Sequence, residues 1–191
     1  MVYYNQNYNY PIMFTKAQVD IRNHMRMLWE QHDVWTWSTI TSLVFDLPNV
    51  DAVVARLLRD PVDFEHALQP FYGERIAARF RELLTEHLVI AADLVKAAKA
   101  GDNTAAAEAE RKWYANADAI AVFLGEINPC WSQELWRRMM YRHLELVKAE
   151  AVNMLNGQYE ASIAAYDENE MHTLGMADVM AEGIIKQFNI C

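Results

Sequence analysis

The chain has 191 residues, 53% of them hydrophobic and 23% charged, and carries a formal net charge of −9. That length and apolar content suffice for one domain with a real core and argue against global disorder. The acidic balance excludes nucleic acid as the main partner, because phosphate binding needs a basic face, and it disfavours an anionic membrane surface.

Residues 1–14 are rich in Tyr and Asn and carry no helical period, so they read as a flexible arm ahead of a single domain over 15–191. The arm lacks the charged start and apolar run of a signal peptide. Thr15 with Gln18 makes a capping-box pattern that opens a helix to about residue 45, ended by Asp46-Leu47-Pro48-Asn49. A short helix over 50–59 follows. Asp60-Pro61 opens a second short one, to about residue 68, with a break at 70–73. A long helix over 74–100 is stopped by Gly101. Asn103 or Thr104 opens the next, which ends before Asn128-Pro129. Ser132 caps a helix over 133–155, Asn156-Gly157 is a tight turn, and a last helix runs over 158–188. No segment shows strand alternation. The expected fold is all-α: an up-and-down bundle of four to five long helices plus two short crossover helices, because short connections make neighbours antiparallel.

Three histidines sit at the centre of apolar helical stripes. Residues three, four and seven apart share a helix face. His32 lies among Met25, Leu28, Trp35 and Thr39; His87 among Phe80, Leu83, Ile90 and Leu94; His143 among Trp136, Met139, Leu146 and Val147. Charged neighbours such as Glu30 and Asp33 read as belonging to other faces. Asn116 falls on the stripe of Trp113, Ile120 and Phe123, and Glu170 on that of Tyr159, Ile163, Tyr166 and Ala177. Residues equidistant from a turn lie opposite each other. The three turns set His87 opposite Asn116, Asn116 opposite His143, and His143 opposite Glu170. His32, at the middle of its own helix, can join that layer.

Inward imidazoles and a carboxylate from different helices suit a divalent transition metal: Zn, Mn, Fe or Co. The expected ligands are His32, His87, His143 and Glu170. Asn116, Glu150, Asp167 and Asp178 stand as outer-shell or ligand-binding partners. Such a site supports Lewis-acid or redox chemistry if one metal position stays open. Two alternatives use the same residues: a non-enzymatic small-molecule binding or sensor module, and a purely structural buried polar network. No glycine-rich phosphate loop, no zincin motif and no Glu-x-x-His pair is present, and whether the chain is an enzyme is open. Cys130 and Cys191 are too few for a disulfide framework, and no run approaches the roughly 18 apolar residues of a membrane span. A cytoplasmic protein with reduced thiols is expected, binding a metal ion or small molecule and compatible with homo-oligomer assembly.

The stretches LWEQH (28–32), PFYG (70–73), HLVIAADLVKAAKAGD (87–102), WYANADAIAVFLGEINP (113–129), HLELVKAEA (143–151) and MADVMAEGIIKQF (176–188) resemble a family of small bacterial proteins often labelled "acetylglutamate kinase". Acetylglutamate kinases proper are α/β proteins with glycine-rich phosphate loops, which this chain lacks, so the resemblance implies no catalytic residues. The inward His/Glu pattern is loosely similar to hemerythrin-like and ferritin-like bundles, whose ligand motifs do not match residue for residue.

Overall fold

The computed structural model describes residues 13–191, in seven helices. These are α1 (Lys16–Val44), α2 (Val50–Leu57), α3 (Asp60–Tyr72), α4 (Glu74–Lys99), α5 (Asn103–Ile127), α6 (Gln133–Leu155) and α7 (Tyr159–Gln187). Among the described residues there is no strand, and no helix is long and apolar enough to cross a membrane. The chain is an all-α helical bundle. Apart from Met13 and Phe14, the arm assigned to residues 1–14 lies outside the described residues.

Helix α1 starts where the capping box puts it. The Thr15 hydroxyl accepts from the Gln18 amide at 3.3 Å, and the Gln18 side chain accepts from the Thr15 amide at 3.1 Å. Two otherwise unpaired N–H groups are thereby satisfied. Thr15→Ala is expected to cost about 1 kcal/mol in chemical denaturation. A loss below about 0.3 kcal/mol would mean that this end of α1 is held by packing alone.

The crossover differs from expectation at two points. Helix α3 does not break at Pro70 but runs through it to Tyr72. A proline one turn from a C-terminus removes few intrahelical bonds, and the stop comes at Gly73, which takes φ +78°. Nor does Asp60 cap α3 from outside. It lies in the first turn, buried, with Arg56 Nη1 at 2.5 Å. Arg56 also donates to Gln31 at 3.1 Å and lies 5.0 Å over the Trp35 ring. One guanidinium thus fastens α2 and α3 to α1.

The long helices pack in sequence, α4 on α5, α5 on α6, α6 on α7, and α1 closes the bundle against α7. Helix α1 also touches α2, α3, α4 and α6. Its buried surface is correspondingly wide, taking in Met25, Leu28, Trp29, His32, Asp33, Thr36 and Ile40. Trp29 stacks on Trp136 and meets Phe64 edge-on, forming an aromatic floor beneath the histidine layer.

Candidate functional site

The structure brings His32, His87 and His143 into one buried layer, each no more than 2% exposed. The His143 ring lies 5.5 Å from that of His32 and 6.3 Å from that of His87, centroid to centroid. His32 therefore joins the layer in spite of the long crossover that follows its helix.

Hydrogen bonds fix two of the three tautomers. His87 donates from Nδ1 to the Asn116 side-chain oxygen at 2.9 Å and accepts at Nε2 from the Trp113 indole N–H at 3.1 Å. Both its nitrogens are spent. His143 donates from Nδ1 to the Asn169 oxygen at 2.8 Å, so its neutral ring carries a bare lone pair on Nε2. That atom faces His32 Nε2 at 3.5 Å, and His32 Nδ1 has no partner among the described residues. Burial, then the charge of neighbouring His87, pushes His32 down to about 3. Burial takes His87 to about 4 against the support of Asn116. Burial, followed by His32 and His87, holds His143 well below its usual value. All three rings are neutral at neutral pH.

Behind His143 the network continues into α1 and α7. Asn169 donates to Asp33 Oδ1 at 3.4 Å, and the Thr173 hydroxyl donates to Asp33 Oδ2. Glu150 lies beside this group, 1% exposed, with Oε1 unpartnered. Burial pushes Asp33 up to about 8 against the Thr173 hydrogen bond. Burial and then Asp33 push Glu150 to about 8. Two buried carboxyls side by side cannot both ionise cheaply, so protons stay on them at neutral pH. Tyr166, packed on Trp37 with ring centroids 5.0 Å apart, is raised as well, by burial and then by the nearby carboxylates.

The expected partners divide. Asn116 stands opposite His87, as the α4–α5 turn requires, and also donates to Leu83 O at 3.1 Å. The α5–α6 register holds too, since Tyr141 meets Asp118 at 3.0 Å, but Asn116 turns its amide to α4 rather than to His143. Glu170 does not face His143. Asn169 takes that place, and Glu170 is half-buried beside Glu30, whose carboxyl is raised by burial and then by Glu170. One residue rotates a helix face by about 100°, so a turn-centred count that finds the right level can still name the wrong neighbour. Asp167 is exposed, and Asp178 pairs with Arg26 at 2.8 Å on the surface, so neither reaches the layer. Asp33, read as a solvated flank, is 1% exposed because α1 is covered on several sides. Asp33, Asn169 and Thr173 are the members that sequence reasoning missed.

No family model matches the chain, and neither a curated protein nor a solved structure is significantly similar to it.

Proposed function

We propose that the chain is a metal-binding bundle protein whose ion sits between His32 and His143. The observation that carries this is the 3.5 Å separation of their Nε2 atoms. It is long for a hydrogen bond. Two imidazole nitrogens on one tetrahedral zinc-like ion stand about 3.3 Å apart. His143 also has the backing of a metal-bound histidine: its other nitrogen donates to an amide that is itself tied to a carboxyl. As neutral rings, His32 and His143 can each offer a lone pair to a cation, whereas that of His87 is taken by the Trp113 N–H.

Among the described residues no three His, Cys, Asp or Glu side chains stand as a ready-made ligand group. The third ligand in this reading is His87, which has to exchange the Trp113 N–H for the ion. Glu170, turned to Glu30, is not a ligand here. An ion held by three neutral imidazoles keeps a position for an outside ligand and acts as a Lewis acid there. A reducing, cytoplasmic setting fits the two free, exposed thiols Cys130 and Cys191.

The competing reading is a structural network, favoured by the complete satisfaction of His87 by Asn116 and Trp113. Elemental analysis and the visible spectrum of Co²⁺-loaded protein separate the two. The metal reading expects one ion per chain, lost in His32→Ala and His143→Ala with helicity retained. A metal-free protein that shows no tetrahedral Co²⁺ bands overturns it. In that case His143→Ala is expected only to destabilise, by about 1–3 kcal/mol, because the Asn169 side-chain oxygen loses its donor.

A further inference from the structure

A cavity of about 300 Å³ opens between α1, α4, α5 and α6, on the far side of Trp113 from the histidines. Its wall is almost wholly aliphatic, with Leu57 of the crossover helix α2 contributing. Of its polar side chains, Asn103, Glu110 and Lys148 are exposed or half-buried, and two are buried: Thr36, 8% exposed, and Thr39, 4% exposed. Neither hydroxyl has a hydrogen-bond partner among the described residues.

Thr36, Thr39 and the half-buried Thr41, all on α1, leave their hydroxyls unpartnered among the described residues, and of these only Thr36 and Thr39 line the cavity. Buried threonines on helices usually return the hydroxyl to the carbonyl one turn back. Half-buried Thr85 does so to Arg81 at 2.8 Å, as does the serine Ser38 to Val34 at 2.8 Å. Thr36 and Thr39 lie on the same face of α1, one helical turn apart, and leave that option unused. A buried hydroxyl without a partner destabilises the fold, and valine has the same shape without that cost. Both groups line one cavity large enough for a small molecule, and together they form a built polar spot in an apolar chamber.

The charge of the chamber selects among ligands. Its cation is Lys148 at the rim, and Lys148 is already paired with Glu110 at 2.6 Å. A carboxylate or phosphate placed inside meets no free positive group, and burying it unpaired is costly. We propose that this cavity binds a neutral, largely hydrocarbon molecule bearing one hydroxyl or carbonyl oxygen, with that oxygen on Thr36 and Thr39. The site is independent of any ion between the histidines. It communicates with them through Trp113, which forms part of the wall and donates to His87.

The test uses the full chain in chelator, with octanol, octanoate and octane as ligands, read by calorimetry and by melting temperature. Octanol is expected to bind and to raise the melting temperature. Octanoate and octane are expected to bind at least about tenfold more weakly, roughly the worth of one hydrogen bond. The Thr36→Val/Thr39→Val variant is expected to melt higher than the parent without ligand. It should lose at least about tenfold of its octanol affinity while its octane affinity stays unchanged. Ala91→Phe, which fills the cavity, should abolish binding with helicity intact. The proposal falls if octanol fails to stabilise the parent, if octanoate binds as well, or if the double valine variant binds octanol undiminished.

Discussion

Gly183→Ala is expected to be the most crowded of this protein's glycine-to-alanine changes and strongly destabilising. A Cβ at Gly183 would lie 1.8 Å from Trp131 Nε1 and 2.4 Å from its Cδ1. Trp131 is 2% exposed, and its indole N–H donates to Val179 O at 3.1 Å, so the ring has nowhere to retreat. Alanine brings back up to about 1 kcal/mol of helix propensity. Expelling the indole forfeits far more, on the scale of the roughly 3–5 kcal/mol lost when a buried tryptophan is truncated. The net expectation is a destabilisation of about 3 kcal/mol in urea unfolding. Trp131→Leu in the alanine background should restore part of it, giving a coupling of at least about 1 kcal/mol in a double-mutant cycle. Additive effects of the two changes would show that the contact does not hold α7 in place.

The second large effect is in the pH dependence of stability. Glu150 titrates at 4.5 when free and at about 8 in the fold, raised by burial and then by Asp33. Between those values the native state holds a proton that the unfolded state has released. Stability therefore falls as pH rises through that window, by at most about 1.4 kcal/mol per pH unit for each such group. Asp33 acts in the same direction, from 3.8 to about 8. The histidines act in the opposite sense. His32 and His87 protonate near 6.5 when unfolded and at about 3 and 4 when folded, so stability falls as pH drops below 6.5. The two limbs oppose each other between about 4.5 and 6.5, and only the carboxyl limb operates above that. Metal-stripped protein should accordingly be most stable at mildly acidic pH. Glu150→Gln should match the parent near pH 5 and exceed it by about 2 kcal/mol or more near pH 8. A stability difference that does not change with pH would show that Glu150 is ionised in the fold.

The helices were legible in the sequence because caps and breakers mark their ends. Thr15, Gly101, Ser132 and Gly157 all stand at boundaries in the structure. Levels were legible too, since the α4–α5 turn alone pairs His87 with Asn116. Helix α7 was misread in rotation. Tyr159 and Ile163 suggested the buried face, yet they are 51% and 52% exposed. The face actually buried carries Ser162, Asn169, Thr173, Met176 and Met180, with polar residues through its first half. A stripe that is polar where it meets a polar network escapes any search for apolar period. Counting back from Met176 by three and seven residues reaches Thr173 and Asn169, and that was the available signal. Asp33 was hidden differently: a helix contacted from several sides has no solvent face on which a charge can safely be placed.

The pairing of α1 with α7 has a consequence for how the chain is made. Asp33 finds Asn169 and Thr173 136 and 140 residues further along the sequence, and Arg26 finds Asp178 152 residues further. A nascent chain emerging from the ribosome can close α4 on α5 and α5 on α6 from local contacts. Asp33 on α1 stays without Asn169 and Thr173 until α7 has been translated, whereas His143, the neighbour of His32, arrives earlier with α6. Completion of the Asp33 network is thus expected to follow translation of α7, later than the closures of α4 on α5 and α5 on α6.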